Sequence, residues 1–145
     1  ITEPKETFSQ CFGAPFMPLH PIVYARMLGE RIATHKTSVY LINTGWTAGP
    51  YGIGKRMELR YTRKMVSATI NGELDTVSYK HDDIFNLDIP LHCQGVPSEI
   101  LDPSSTWSDK RDYAVAAKRL AGLFVRNFER FGDNVADLAK YGPAV

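Results

Sequence analysis

Apolar residues recur at helical spacing early in the chain. From Pro21, the positions Ala25, Leu28 and Ile32 follow at steps of four, three and four. This spacing places them on one face of a helix, and proline is favourable at a first helical position. The pattern predicts a surface helix that ends near Lys36.

A longer apolar stripe lies in the last third of the chain and predicts a long helix through Phe131, with Thr106 or Ser108 as its cap. The stripe consists of Tyr113, Ala117, Leu120, Phe124, Phe128 and Phe131. Residues 132–145 show no such pattern and are predicted to form a surface tail.

Shorter segments predict the remaining elements. Residues 38–42 (SVYLI) are uncharged, β-branched and aromatic, which predicts a strand buried on both faces. Residues 56–61 (RMELRY) and 84–89 (IFNLDI) alternate between polar and apolar and predict two further strands. Residues 62–74 predict a short helix that Thr62 caps and Gly72 ends. A helix followed by a buried strand is typical of the α/β class.

Length and composition narrow the class of protein. The 145 residues suit one domain, and the net charge of +1 favours neither a globally basic nucleic-acid binder nor an acidic tail. Cys11 and Cys93 are too far apart for a metal motif or a disulfide framework. No apolar run reaches the length of a membrane span, so a soluble, cytoplasmic protein without membrane partners is expected. Residues 7–18, rich in aromatics and prolines, are expected to pack against a partner surface, within this chain or in a larger protein.

The stretch GPYGIGKR, residues 49–56, matches the phosphate-loop pattern G-x-x-x-x-G-K-[ST] at seven of eight positions. The mismatch is Arg56, which stands where a hydroxyl should hold magnesium. Arginine has only donors and repels a cation, so it is not a magnesium ligand. The predicted strand after the motif is also the wrong context, because a helix should follow directly.

Other chemistry is sparse. The histidines His20, His35, His81 and His92 show no spacing typical of metal ligands. A basic cluster between Lys55 and Lys64 leaves nucleic-acid binding open as a minor alternative.

Several segments in order resemble the C-terminal portion of ATP-dependent phosphoenolpyruvate carboxykinases. They are TFSQCFGAPFMPLHP, YLINTGWTAGPYGIGKR, LRYTRK, GVPSEILDP with the following TW, and LAGLFVRNFERF. The resemblance spans Ile1 to about Phe131 and corresponds to about the last quarter of the family enzyme. It implies that residues 1–145 are a C-terminal segment of the nucleotide-binding domain, in an α/β fold with a mixed sheet, flanking helices and a long C-terminal helix.

The resemblance also implies a function. The family enzyme converts oxaloacetate and ATP to phosphoenolpyruvate, CO2 and ADP in gluconeogenesis and uses Mg²⁺ and Mn²⁺. Its phosphate loop, metal ligands and oxaloacetate-binding arginine all precede the matching region, so no catalytic or metal-binding residue is expected here and this segment alone is expected to be inactive. The residues carried over are Arg56, Met57 and Thr62, at the adenine end of the ATP site.

The expected partners are ATP or ADP, the rest of the polypeptide with its substrates oxaloacetate and phosphoenolpyruvate, and further copies of the enzyme, since the family includes monomers and larger assemblies. Two alternatives stay open: a stand-alone, non-catalytic nucleotide-binding module, and a structural or nucleic-acid-binding domain that uses the basic cluster.

Overall fold

A computed structural model describes residues 7–9 and 13–144 of the chain. Its helices are α1 (Pro21–His35), α2 (Leu59–Ile70), α3 (Ser98–Leu101), α4 (Pro103–Thr106), α5 (Lys110–Glu129) and α6 (Ala136–Ala139). Short 3₁₀ turns cover Ala14–Phe16, Glu73–Thr76 and Asp133–Val135. No helix in the described part of the chain is both long enough and apolar enough to span a membrane.

The strands form two separate antiparallel pairs. Strand β1 (Trp46–Thr47) pairs with β2 (Lys55–Arg56), and β3 (Tyr79–Asp82) pairs with β4 (Leu87–Pro90). The α/β class is therefore confirmed, but the described residues contain two small hairpins where a single mixed sheet was expected.

The two helices predicted from long apolar stripes are present. They could be predicted because each stripe covers several turns. Helix α1 begins at Pro21 and ends where Lys36 adopts a left-handed conformation with φ 50°. Helix α5 is 20 residues long. The cap predicted for it is wrong: Asp109 stands immediately before the helix, and its carboxylate accepts a hydrogen bond from the Arg111 N–H at 2.6 Å.

Helix α2 begins earlier than predicted. The strand expected over residues 56–61 is wrong beyond Arg56, because the helix begins at Leu59, and Thr62 lies inside it instead of capping it. Six residues of polar and apolar alternation do not reveal a helical face, whereas a longer window does. Tyr61, Met65 and Ala68 share one face of α2 and belong to the core.

Residues 38–42 form no strand, and the prediction of a buried one is wrong here. The side chains of Val39 and Leu41 are 62% and 81% exposed. The segment is anchored at Tyr40, whose hydroxyl donates to the Asp75 carboxylate at 2.8 Å. A strand buried on both faces needs neighbouring strands along its edges. No described strand pairs with residues 38–42.

The strand predicted over residues 84–89 is shifted toward its C-terminal end. Asp82 Oδ1 accepts hydrogen bonds from the N–H groups of Ile84 (2.8 Å) and Phe85 (3.1 Å), which folds residues 83–86 into a turn before β4. Asn86 completes the turn at φ 56°. Asparagine tolerates this left-handed conformation better than most residues do.

The end of the chain lies at the surface, as predicted, because most of residues 132–144 are exposed, but it is not a free tail. Val135 is 1% exposed, and the Ala144 N–H donates to the Ile84 carbonyl at 3.0 Å. Arg26 of α1 contacts both carboxylate oxygens of Asp137, at 3.0 and 3.1 Å. Individual contacts hold residues 132–144 in place. The spacing of apolar residues does not reveal such contacts, so the sequence pattern did not indicate them.

The core is small. Its buried members are Ala68, Leu74, Cys93 and Val96, and partly buried Tyr40, Tyr61, Met65, Val77, Ile100 and Leu101 pack around them. Cys93 is buried, which raises the pKa of its thiol, whereas Cys11 lies outside the described residues. At the start of the chain Phe8 packs edge-on against Phe124 of α5, with ring centroids 5.1 Å apart. Residues 7–18 were predicted to pack against a partner surface. Phe16, which belongs to this segment, is 85% exposed within this chain.

Candidate functional site

The glycine-rich motif forms the loop of the β1–β2 hairpin. Trp46 lies opposite Arg56 and Thr47 opposite Lys55, with residues 48–54 between the strands. The N–H groups of Ile53 and Gly54 donate to the Pro50 carbonyl at 3.1 and 2.8 Å. A phosphate loop presents its N–H groups to the ligand, and these two are already bonded within the loop.

The loop is tightly folded around its last glycine. A Cβ on Gly54 would lie 2.4 Å from the Gly49 carbonyl oxygen and 2.7 Å from the Thr47 carbonyl oxygen. Ala48 has φ 65°, and Gly49 and Gly52 also have positive φ values. Because a side chain at the Gly54 position would collide with backbone, the hairpin geometry depends on glycine there.

The three residues predicted to contact adenine lie along the connection between β2 and α2. Arg56 is exposed at the end of β2, Met57 follows it and is 8% exposed, and Thr62 is partly buried in α2. The Met57 N–H donates to the Gly45 carbonyl at 2.8 Å, which continues the hairpin by one residue. This continuation fixes where the chain enters α2.

The side chain of Met57 lines a cavity that Arg56 and Thr62 do not line. Met57 lines a largely apolar cavity of about 970 Å³ beside residues 38–43, and Met65 and Leu74 also line it. Arg56 and Thr62 are not among its lining residues. The structure therefore brings Arg56, Met57 and Thr62 to one junction while directing the Met57 side chain inward.

The junction leaves three groups for a ligand. Among the described residues, the Arg56 guanidinium has no ion pair, and neither the Thr62 hydroxyl nor the Met57 carbonyl has a hydrogen-bond partner. A planar cation, a hydroxyl and a carbonyl can cover a flat aromatic ring and bond to its polar edge.

The neighbouring basic cluster is partly neutralised. Arg60 Nε lies 2.8 Å from a Glu58 carboxylate oxygen, and Arg60 also donates to the Tyr61 hydroxyl at 2.8 Å. The Arg60 guanidinium is therefore occupied by neighbouring side chains at the start of α2. This weakens the case for a continuous nucleic-acid-binding face.

Thr106, considered above only as a helix cap, instead contacts the hairpin at the end of α4. Its hydroxyl accepts a hydrogen bond from the Ala48 N–H at 3.2 Å. No sequence signal reveals this contact, since a threonine between two helical segments equally suits capping.

Asp102 caps α4 by accepting from the Ser104 N–H at 3.0 Å, and it also accepts from Lys80 of β3 at 2.8 Å. Partial burial raises the pKa of the Asp102 carboxyl. The hydrogen bonds from Lys80 and Ser104 lower this pKa by more than burial raises it, so it lies below its ordinary value.

No group of three or more His, Cys, Asp or Glu side chains in residues 7–9 and 13–144 is arranged to hold a metal ion. The Mg²⁺ and Mn²⁺ that the family resemblance implies therefore find no set of protein ligands in this part of the chain.

The comparisons with known proteins bear on this site. Residues 1–99 match the family model described as phosphoenolpyruvate carboxykinase. The chain is 59% identical over 143 residues to the phosphoenolpyruvate carboxykinase (ATP) of Caldanaerobacter subterraneus subsp. tengcongensis and 58% identical over 144 residues to that of Fusobacterium nucleatum. The enzyme of that name from Thermus thermophilus is 51% identical over 144 residues.

Each of these alignments covers 99% of this chain and 27% of the relative. The mixed α/β fold is compatible with a fragment of an enzyme of this class. The chain belongs to the family of ATP-dependent phosphoenolpyruvate carboxykinases, and it spans about a quarter of the length of the curated relatives that it matches.

Proposed function

We propose that this chain is the C-terminal part of an ATP-dependent carboxykinase that converts oxaloacetate and ATP to phosphoenolpyruvate, CO2 and ADP in gluconeogenesis. Residues 1–145 would then be a C-terminal segment of its nucleotide-binding domain. The observation that supports this most is an identity of 51–59% over nearly the whole chain to proteins named phosphoenolpyruvate carboxykinase (ATP). These alignments cover 99% of the chain and therefore include the hairpin and α2.

The contribution of this chain is the adenine end of the ATP site. Arg56 would cover the adenine ring with its flat guanidinium, and the Thr62 hydroxyl would bond to the ring's polar edge. The Met57 N–H is already bonded to Gly45, so the Met57 carbonyl is the backbone group that remains to accept from the adenine amino group. The buried Met57 side chain would hold the junction in place.

In the proposed reaction, decarboxylation of oxaloacetate gives an enolate whose oxygen attacks the γ-phosphoryl group of ATP in line. Such a transfer depends mainly on positioning and on stabilising charge. Arg56 and Thr62 would hold the base and thereby orient the nucleotide. The described residues contain no group of His, Cys, Asp or Glu side chains arranged to hold a metal ion, so we assign the metal-binding residues to other parts of the enzyme.

The test uses a full-length enzyme that contains this segment, with the variants Arg56→Ala and Thr62→Val. Losing one well-placed polar contact to a bound ring costs about 1–3 kcal/mol, or about tenfold to a hundredfold in affinity. We expect the KM for ATP and the Kd for ADP to rise by that factor while the KM for oxaloacetate stays nearly constant. Steady-state kinetics and calorimetric ADP titration measure these constants.

Arg63→Ala is the matched control, because Arg63 is an exposed arginine of α2 without an ion pair among the described residues. It should leave nucleotide affinity unchanged, and Thr62→Ser should retain most of it. Lys55→Ala distinguishes the phosphate-loop alternative. If Lys55→Ala abolishes phosphoryl transfer while Arg56→Ala leaves ADP affinity intact, the hairpin contacts phosphate and the adenine proposal is wrong.

A further inference from the structure

The Thr106 hydroxyl is fully hydrogen-bonded to two elements at once. It donates to the Pro103 carbonyl within α4 at 2.9 Å. It accepts from the Ala48 N–H and from the Thr47 hydroxyl, each at 3.2 Å. A hydroxyl has one proton to donate and two lone pairs, so these three bonds use its whole capacity and connect α4 to the β1–β2 hairpin.

The bonded hairpin residues, Thr47 and Ala48, directly follow Trp46, which pairs with Arg56 of the candidate site. Thr47 lies opposite Lys55, and Trp46 lies opposite Arg56. Ala48 adopts φ 65°, a left-handed conformation that is unfavourable for a residue with a Cβ. The hydrogen bond from its N–H to Thr106 offsets part of that cost and so stabilises the chain reversal next to β1.

We call the hydrogen bonds of Thr106 to Thr47 and Ala48 the anchor. Helix α4, which carries Thr106, is itself held in place by Asp102. Asp102 Oδ1 accepts from the Ser104 N–H at 3.0 Å and from the Ser104 hydroxyl at 2.7 Å, which fixes the first turn of α4. Its Oδ2 accepts from Lys80 at 2.8 Å. Thr106 is therefore attached to a helical turn that strand β3 holds in place.

We propose that Thr106 is a positioning residue for nucleotide binding. Through Ala48 and Thr47 it sets the position of β1, and through the strand pairing it sets the position of Arg56 at the end of β2. The proposal rests on the assignment of Arg56 to the adenine end of the ATP site. Thr106 itself contacts no ligand in this account.

The test compares Thr106→Val, which keeps the shape but removes the hydroxyl, with Thr106→Ser, which keeps the hydroxyl. Both are made in a full-length enzyme containing this segment. We expect Thr106→Val to raise the KM for ATP and the Kd for ADP by about fivefold to tenfold, the factor for one neutral hydrogen bond. The KM for oxaloacetate should stay constant, and Thr106→Ser should restore nucleotide affinity.

Ser105→Ala is the control for α4, since Ser105 is exposed and its side chain makes no hydrogen bond to the described hairpin. Amide hydrogen exchange at Ala48 reports the anchor independently of ATP. It should become faster in Thr106→Val and remain slow in Thr106→Ser. If Thr106→Val does not fold, Thr47→Val removes one of the same bonds and should shift ATP affinity in the same direction by less.

The possible failures are distinguishable. Unchanged exchange at Ala48 in Thr106→Val would show that the anchor does not exist. Faster exchange with unchanged ATP affinity, while Arg56→Ala still weakens ATP binding, would overturn the positioning role and leave the adenine assignment intact. If Arg56→Ala has no effect on nucleotide binding, the adenine assignment fails and the positioning proposal fails with it.

Discussion

The two hairpins of this molecule are built differently. The β3–β4 hairpin pairs four residues on each strand across a turn of residues 83–86. The β1–β2 hairpin pairs only two residues on each strand and closes a loop of residues 48–54. Cross-strand pairs are the unit of sheet stabilisation. The strand pairing therefore stabilises the second hairpin much less than the first.

Their stabilising contacts also come from different places. The β3–β4 hairpin holds its turn with its own Asp82 carboxylate and adds a cross-strand contact between His81 and Asp88 at 3.0 Å. The β1–β2 hairpin depends on Thr106 from α4 and on the absence of a side chain at Gly54. Both hairpins contact other elements, since the first also bonds to Asp102 and Ala144, but the first holds its turn with its own side chain, whereas the second receives a side chain from α4 next to its loop.

The difference indicates a division of roles. The candidate ligand groups lie at the weakly paired hairpin, as is common for functional loops that a more rigid part of the structure positions. A hairpin whose geometry is set by neighbouring elements can expose Arg56 without needing a long strand pair. Four substitutions test this contrast, in order of decreasing expected effect.

Gly54→Ala should have the largest effect. Its Cβ would lie 2.4 and 2.7 Å from two backbone carbonyl oxygens of the same hairpin, and backbone cannot move away as a flexible side chain can. We expect a loss of about 3 kcal/mol in the free energy of unfolding, or a displaced hairpin, by urea denaturation and amide exchange. Gly29→Ala in α1 is the control: it meets nothing within 4 Å and should be neutral or slightly stabilising. A neutral Gly54→Ala would show that the loop is not tightly folded.

Asp102→Ala should weaken both hairpins, because Asp102 contacts β3 through Lys80 and supports Thr106 through α4. Losing a cap of this kind costs about 1 kcal/mol. The pKa of Asp102 is lowered in the folded state, so its contribution is present above the unfolded pKa and is lost as the pH falls through the lowered one.

Amide exchange at Ala48 and Leu87 would report the two hairpins separately in Asp102→Ala. Faster exchange at Leu87 alone would show that α4 does not transmit the support to the hairpin with the candidate site.

Asp82→Ala should affect the β3–β4 hairpin alone. It removes the acceptor for the N–H groups of Ile84 and Phe85, and the net cost of such bonds is about 1 kcal/mol. Exchange at those two amides should become faster while exchange at Ala48 stays the same. An equal change at Ala48 would mean that the hairpins unfold together, and the contrast between them would disappear.

The smallest effect concerns His81. Its hydrogen bond to Asp88 raises the pKa of the imidazole above the ordinary value near 6.5. The pair's contribution to stability is therefore full below the unfolded pKa and is lost as the pH rises through the raised folded value. Because both side chains are exposed, little stability depends on this pair. Asp88→Asn should lower the His81 pKa in an NMR titration, and an unchanged midpoint would contradict the pairing.

The sequence predicted the long elements well and the short ones poorly. The stripes that end in Ile32 and Phe131 cover several turns, so the helices α1 and α5 could be predicted. Residues 38–42 have the composition of a buried strand, but composition does not show whether a partner strand exists. Residues 56–61 are too few to distinguish alternation from the start of a helix.

The candidate site was predictable in part. The mismatch at Arg56 argues against a phosphate loop, and the bonded N–H groups of Ile53 and Gly54 give a second reason. The assignment of Arg56, Met57 and Thr62 to adenine came from family resemblance and stays a prediction. The bond between Thr106 and Ala48 joins residues 58 positions apart, and no local pattern indicates such a contact.

The exposed segment at residues 38–42 has a practical consequence for handling this chain in solution. It has no strand partner among the described residues, and Leu41 is 81% exposed. An exposed segment with high β-propensity and no charge is a site where other chains can add as strands, and such addition leads to aggregation. Low protein concentration and a charged residue at Leu41 would both act against that process, because a charge on an exposed edge disfavours strand addition.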